Sequence, residues 1–290
     1  MSVKKHQGIL FIILAGFFFA LMSFFVRLAG DLPTMQKAFF RNAVAAVISV
    51  VMLLKSEEKF RIHKQSIPGL FLRSFFGTVG LICNFYAVDR LNIADANILN
   101  KLSPFFAIIM SYFILKEKAN IIEWICVAAA FAGAVFVVKP SMNMQFVYAL
   151  IGVCGGFGAG VAYTFVRKLG QSGERGPVIV MFFSVFSCIV TLPFMIIEYE
   201  PMSAIQLIFL LLAGASAAGQ LSITKAYTKA PAKEISVFDY TQVIFAALLG
   251  FIFLGQMPDI FSVIGYIIII GSAIFKWWYI KEKDKKEAAS

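Results

Sequence analysis

Residues 8–26 of the chain read GILFIILAGFFFALMSFFV, an apolar run of 19 residues without one charged side chain. A helix needs about 20 mostly apolar residues to cross the hydrocarbon core of a bilayer, so this run has the length of one transmembrane helix. A second run without charge, VIGYIIIIGSAIF at residues 263–275, lies near the other end of the chain. Runs of this kind recur along the sequence, which therefore predicts an integral membrane protein.

The overall composition agrees with the apolar runs. Hydrophobic residues make up 60% of the 290 positions and charged residues only 14%, and the mean hydropathy is +0.84. A soluble domain carries roughly 25% charged residues because its surface faces water. The composition therefore excludes an ordinary soluble enzyme or binding module.

Helix-breaking segments such as Asp31-Leu32-Pro33 and Glu200-Pro201 separate the apolar runs into ten predicted spans. The first run is expected to be a retained helix rather than a cleaved signal peptide, because many further spans follow it. The predicted spans cover residues 7–29, 33–54, 69–89, 93–115, 121–138, 146–168, 177–197, 204–227, 232–254 and 259–280.

The placement of Lys and Arg predicts the orientation. With the N-terminus in the cytoplasm, nineteen of the 26 basic residues fall in cytoplasmic loops and span ends, and only Arg90 and Lys139 fall in outer loops. Cytoplasmic loops of membrane proteins carry such an excess, so both termini are expected in the cytoplasm and the protein in the cell membrane, among its lipids. The formal net charge of +10 then reflects topology, and no nucleic-acid partner is expected.

The two halves of the sequence repeat each other. A shift of 140 positions places Gly16-Phe17 on Gly156-Phe157, and a shift of 139 places Phe106-Ala107 on Phe245-Ala246. Each unit holds five spans, and an odd number inverts the second unit relative to the first. The predicted fold class is an all-α integral membrane protein of ten transmembrane helices in two inverted five-helix repeats, residues 1–142 and 143–290. Many secondary transporters have this architecture, with the binding site at the repeat interface.

The fourth span carries the most polar surface. Asn97, Asn100, Lys101 and Pro104 follow the i, i+3, i+4, i+7 spacing of one helical face. A charged group inside a bilayer costs roughly 2.5–3.5 kcal/mol on insertion scales and usually faces a cavity or a partner. Lys101 is therefore predicted to hold a carboxylate or phosphate of a substrate, with Asn97 and Asn100 orienting it.

A matching polar stripe is predicted on the ninth span. The 139-residue shift places Ser236, Asp239 and Tyr240 opposite three members of the fourth-span face, so the two stripes are expected to form facing walls of one cavity. Asp239 is then a candidate for binding an amine or a proton. Two alternatives stay open: Lys101 and Asp239 neutralise each other as a structural pair, or Lys101 reaches the membrane surface.

Other polar side chains inside spans are secondary candidates for substrate binding, although hydrogen bonds between helices are the commoner role of such residues. They are Asn84, Tyr86, Tyr163, Gln220 and Gln242. For Arg41 and Arg73, an extended side chain reaching the interface, or helix packing, is favoured.

Several segments resemble one known family. Phe39-Phe40-Arg41-Asn42, Leu102-Ser103-Pro104-Phe105 and Gly133-Ala134-Val135 resemble patterns of the drug/metabolite transporter superfamily, EamA type. The resemblance covers nearly the whole chain and implies the same inverted ten-helix fold. It does not imply a substrate, because the superfamily moves many unrelated solutes. Small multidrug relatives place a Glu in the first helix, and neither the first span nor the sixth contains an Asp or Glu here.

These observations predict a secondary transporter for a small polar metabolite, anionic or zwitterionic because basic groups outnumber acidic ones within the spans. An amino-acid derivative or an organic acid would fit, together with a coupling ion or counter-substrate. An enzyme is not expected, since no His lies within a span and Asp239 is the only carboxylate well inside one, and neither cofactor nor metal is predicted. A lipid-moving or scaffold protein, and a cation or drug exporter of the same fold, remain the alternatives.

Overall fold

The computed structural model describes residues 3–58, 60–116, 120–139, 144–216, 218–229 and 236–289. These residues form twelve α-helices and short 3₁₀ helices at Lys64–Ser66 and Ser236–Tyr240. The α-helices are α1 (Val3–Leu28), α2 (Thr34–Leu54), α3 (Ile67–Arg90), α4 (Ile93–Asn100), α5 (Ser103–Ile114), α6 (Ile121–Val138), α7 (Met144–Gln171), α8 (Gly176–Ile197), α9 (Ala204–Ala215), α10 (Ala218–Lys229), α11 (Thr241–Leu254) and α12 (Ile260–Ala289).

Ten helical stretches among these residues are long and apolar enough to cross a membrane, as the sequence predicts. The structure places them at Gln7–Leu28, Thr34–Leu54, Lys64–Arg90, Ile93–Ile114, Ile121–Val138, Met144–Gln171, Gly176–Ile197, Ala204–Ile223, Val237–Leu254 and Ile260–Glu282. The third span begins five residues earlier than predicted. The predicted start of the ninth span, residue 232, lies outside the described residues.

Large apolar side chains cover the outer surface of the bundle. Leu10, Ile189 and Ile267 are each about two-thirds exposed, which in water would be costly over so wide a surface. Lipid tails are as apolar as these side chains, so their exposure fits a bilayer rather than water. The protein is a multi-pass membrane protein.

Gly152, Gly156 and Gly160 lie four residues apart on the sixth span, a spacing that favours close helix packing, and they allow this span to approach the fourth closely. A Cβ atom on Gly156 would lie 2.6 Å from the carbonyl oxygen of Leu99. A Cβ atom on Gly160 would lie 2.7 Å from the carbonyl oxygen of Ser103. Both distances are too short for any side chain, so only glycine permits this packing.

The contacts between spans follow a two-fold pattern. The second span packs on the seventh, the fifth on the tenth and the fourth on the ninth. The third span packs on the sixth, and their counterparts, the eighth and the first, also pack on each other. In the same way the sixth span packs on the fourth, and the first packs on the ninth. Exchanging each span with its counterpart five spans later leaves this pattern unchanged, as two inverted five-helix repeats require. The predicted boundary between residues 142 and 143 lies outside the described residues and stays a prediction.

Polar contacts join the two halves at both faces of the membrane. On the face where α1 begins and α12 ends, the backbone N–H of His63 donates to Glu174 Oε2 at 3.3 Å. On the opposite face, Gln36 Nε2 donates to the carbonyl oxygen of Glu200 at 2.9 Å, and the N–H of Glu200 donates back to Gln36 Oε1 at 3.1 Å. The two halves are therefore joined by hydrogen bonds at both faces of the membrane.

Candidate functional site

A polar cavity lies at the centre of the bundle, where the two halves meet. Its empty volume is about 660 Å³, counted out to the open end. Side chains or backbone of eight of the ten spans line it; the fifth and the tenth do not contribute among the described residues. The lining residues are Phe19, Met22, Arg41, Arg73, Gly77, Gly80, Leu81, Asn84, Asn100, Lys101, Ala159, Ala162, Tyr163, Phe183, Gln220 and Gln242.

The structure brings together six of the residues singled out from the sequence. They are Asn84, Asn100, Lys101, Tyr163, Gln220 and Gln242. These side chains come from five different spans, so none of the short sequence patterns could group them. Their roles in substrate binding remain predictions.

Lys101 and Asp239 form a buried ion pair across the two halves. The Lys101 ammonium donates to Asp239 Oδ2 at 2.6 Å, and the two residues are 3% and 6% exposed. The hydroxyl of Tyr240 donates to the carbonyl oxygen of Lys101 at 3.1 Å. The pairing that the sequence left open is therefore present, and it lies at the cavity wall because Lys101 also lines the cavity.

The pair joins a break in the fourth span to the 3₁₀ turn at the start of the ninth. The fourth span is not one continuous helix, as the single-face argument assumed: α4 ends at Asn100 and α5 begins at Ser103. Pro104 has no N–H to donate to the carbonyl of Asn100, which favours the break. Asp239 lies in the 3₁₀ helix Ser236–Tyr240 that precedes α11. Helix interruptions at mid-depth are tolerated only against protein or a cavity, and transporters place their sites there.

The break separates the predicted fourth-span face. Pro104 lines a second, smaller pocket beside Tyr240 and not the central cavity. Asn97 is fully buried outside the lining: its Nδ2 donates to the carbonyl of Ile93 at 2.8 Å, and its Oδ1 accepts from Gln242. Asn97 therefore holds Gln242 in place, and of the predicted face only Asn100 and Lys101 line the cavity, while a role of the face in substrate binding stays a prediction.

Two other candidates are not part of the central cavity as described: Tyr86 lies outside its lining, and Ser236 is described only by its backbone. The ring of Tyr86 lies 5.9 Å from the ring of Tyr148. The Arg90 guanidinium lies 3.6 Å above the Tyr86 ring. This cluster joins the third and sixth spans near one end of the bundle. The backbone of Ser236 starts the 3₁₀ helix, and its side chain lies outside the described part of the structure.

Arg41 and Arg73 line the cavity and contact neighbouring helices, so of the two roles favoured from the sequence the extended side chain reaching the interface is wrong. They are 2% and 3% exposed, so neither reaches the membrane surface. Arg41 donates to Asn42 Oδ1 at 2.7 Å, and Arg73 stacks 3.9 Å above the Phe183 ring. One feature of the sequence indicated a role for Arg41: it belongs to Phe39-Phe40-Arg41-Asn42, a segment that resembles a pattern of the family.

The charges of the cavity do not balance. Lys101 is neutralised by Asp239, and none of the described lining residues is a carboxylate. Arg41 and Arg73 therefore leave an excess of positive charge. Their guanidinium carbons lie 6.0 and 3.9 Å from the centroid of the same Phe183 ring, so the two are at most 9.9 Å apart. In a low-dielectric site such charges attract an anion strongly.

A ten-helix fold with a polar cavity between two repeats is the architecture of many secondary transporters. The chain belongs to the EamA-like transporter family, whose model matches residues 6–139 and again residues 146–277. The resemblance to the drug/metabolite transporter superfamily, EamA type, is confirmed by this match.

Relatives with named functions are transporters. The chain is 30% identical to the pseudopaline exporter of Pseudomonas aeruginosa over 273 residues, covering 92% of this chain and 95% of that protein. It is 26% identical to the riboflavin transporter of Vibrio cholerae, covering 99% of each. One solved crystal structure superposes with a TM-score of 0.64, covering 93% of this chain and 96% of that one; at 14% identity this likeness shows the fold alone. Membrane transport of a small molecule is therefore the function of the family to which the chain belongs.

Proposed function

We propose that this protein is a secondary transporter that moves a small anionic or zwitterionic metabolite, such as an amino-acid derivative or an organic acid, across the cytoplasmic membrane. One observation carries the proposal: the cavity between the repeats holds Arg41 and Arg73 without a carboxylate among its described lining residues. A substrate carboxylate or phosphate would supply the missing negative charge. Because buried charges need partners, the cavity favours an anion over a neutral solute.

The named relatives do not decide the substrate. One is called a pseudopaline exporter and another a riboflavin transporter, so the family accepts different solutes. A cation exporter of the same fold would need a free carboxylate in the cavity. Asp239 already accepts from the Lys101 ammonium at 2.6 Å, and this pairing favours the anion over a cation.

The mechanism we propose is alternating access between the two repeats. In inverted-repeat transporters one repeat rocks against the other around a fixed central site. The Lys101–Asp239 pair links the break in the fourth span to the 3₁₀ start of the ninth, so a substrate oxyanion that competes for the ammonium would weaken a contact between the two repeats. Asn100, Gln220, Gln242 and Tyr163 would orient the bound solute.

The excess of Lys and Arg on one side supports an orientation with both termini in the cytoplasm. Membrane lipids surround the apolar belt, and a coupling ion or counter-substrate would drive net movement. No nucleic acid takes part in this proposal, since the net charge of +10 follows from the topology.

Counterflow tests this function. Liposomes that contain the purified protein are preloaded with one unlabelled amino acid, organic acid or phosphate ester at a time. Uptake of the same solute in labelled form is then measured. We expect counterflow of at least one anion or zwitterion, and a raised KM for that solute in Arg41→Gln. Liposomes without protein provide the background. Counterflow of organic cations alone would contradict the proposal.

A further inference from the structure

Arg73 differs from the other cations of the cavity because part of its guanidinium has no partner. Lys101 pairs with Asp239, and Arg41 donates to Asn42 and to the Met22 sulfur. The Nε and one Nη of Arg73 are buried and make no hydrogen bond to any residue that the structure describes. A buried donor without a partner costs about 1–3 kcal/mol, and more when charged. Such a group inside a cavity is suited to a ligand.

The guanidinium is held in a fixed plane. It stacks 3.9 Å above the ring of Phe183, on the eighth helix. Gly77, one turn after Arg73 on α3, leaves the room that it needs: a Cβ atom there would lie 3.0 Å from Arg73 Nη1 and 3.1 Å from the Phe183 ring. In the planar guanidinium, Nε and Nη1 each share an edge with Nη2, and each of these two-donor edges matches two oxygens of a carboxylate or phosphate.

A second unpartnered group lies farther along the same helix. The side-chain oxygen of Asn84 is buried and has no hydrogen-bond partner among the described residues, and Asn84 lines the same cavity. Arg73 Nη1 lies at the level of Gly77, and Asn84 follows Gly77 by seven residues. Seven residues make two helical turns, so both groups occupy one face, about 10 Å apart along the axis at 1.5 Å per residue.

We propose that Arg73 and Asn84 form a two-point recognition site for a metabolite with an oxyanion at one end and an N–H or O–H donor about 10 Å away. The oxyanion, a carboxylate or a phosphate, accepts from one two-donor edge of the Arg73 guanidinium. The donor at the other end bonds to the Asn84 oxygen. This inference rests on the proposed function and specifies the length and the two ends of the substrate.

Straight ω-amino acids of different lengths test this site. Binding of ω-aminobutanoate, ω-aminohexanoate, ω-aminooctanoate, octanoate and ω-aminooctyl phosphate to the full chain in lipid nanodiscs is measured by calorimetry. In its extended form the eight-carbon probe places its charges about 10 Å apart, matching two helical turns. We expect ω-aminooctanoate or its phosphate counterpart to bind more tightly than the shorter probes and than octanoate, with the tighter of the two identifying the oxyanion.

Variants then assign each end. Arg73→Lys keeps the charge but loses the fork, and should weaken binding about ten- to hundredfold, the loss expected for hydrogen bonds to a charged group. Gly77→Ala displaces the fork with its charge intact and should weaken binding similarly. Asn84→Ala should lower the affinity for ω-aminooctanoate to that for octanoate. Matched controls are Arg90→Lys, exposed at the end of the same helix, and Gly170→Ala, where an added Cβ meets nothing within 4 Å.

The outcomes separate this inference from the proposed function. Equal affinity for all chain lengths, or an unchanged Kd in both Arg73→Lys and Gly77→Ala, would overturn the two-point site even if counterflow of an anion is observed. Length-selective binding that Arg73→Lys abolishes would support the two-point site even if no counterflow is observed. In that case the proposed transport function, and not the binding site, would be wrong.

Discussion

The buried ion pair between Lys101 and Asp239 gives the sharpest test of how the two repeats are held together. We consider Lys101→Met and Asp239→Asn, alone and combined, because both replacements keep the side-chain volume while removing the charge. Lys101→Met leaves an Asp239 carboxylate with neither oxygen hydrogen-bonded among the described residues, since Oδ1 already has no partner. Asp239→Asn leaves the ammonium buried at 3% exposure.

The expected magnitude follows from this burial. Removing one partner of a buried pair costs about 3–5 kcal/mol, because the remaining charge is left in a low-dielectric site. Replacing both partners is often neutral, so the double variant should recover most of the loss. The chain contains a matched control in the pair of Lys139 and Asp259, which also joins the two repeats but is 36% and 53% exposed. An exposed pair is worth about 0–1 kcal/mol.

Unfolding titrations with SDS from mixed micelles would measure the four proteins of each double-mutant cycle. We expect a large coupling energy for the buried pair and a small one for the exposed pair. Because Lys101 also lines the cavity, Lys101→Met should in addition raise the KM of an anionic substrate. Single variants at Lys101 and Asp239 that are as stable as those at the exposed pair would refute the reasoning. Wild-type transport by a stable Lys101→Met protein would in turn remove Lys101 from the substrate site.

Three further predictions concern other parts of the molecule. A cysteine introduced at Ser290 in a cysteine-free background should react with an impermeant maleimide only after the cells are opened; labelling of intact cells would reverse the assigned orientation. Gly156→Ala should lower the apparent Tm sharply, because its Cβ would lie 2.6 Å from a carbonyl oxygen, whereas Gly170→Ala should not. Burial opposes the ionisation of Glu174, but N–H donors of His63 and Arg175 outweigh it and lower the pKa of its carboxyl below the usual value. A lowered pKa stabilises the folded state above the unfolded pKa of about 4.3 and loses this effect as the pH falls through the folded pKa. Glu174→Gln should therefore lower the Tm at neutral pH and cease to differ from wild type in acid; an equal difference at all pH values would show that charge is not involved.

The sequence by itself determined the architecture. A span needs only length and apolar composition, both of which are local, so the run at residues 8–26 and its successors could be placed to within a few residues. The duplication followed from matches such as Gly16-Phe17 with Gly156-Phe157, and the inversion from an odd number of spans. The close approach at Gly156 was also readable, because small residues four apart favour helix contact whatever the neighbouring helix is.

The tertiary structure alone decided which polar groups meet. Helical periodicity states which residues share a face, but not which neighbour that face meets or where a helix is interrupted. Pro104 lies beyond the break and outside the lining, whereas Asn97, on the same side of the break as Asn100, is outside the lining because it packs against Gln242. Arg73 lies a few residues into α3, where an extended side chain reaching the interface is a reasonable expectation. It turns inward because Gly77 leaves space for its guanidinium and Phe183, more than a hundred residues away in the sequence, offers the ring on which it stacks.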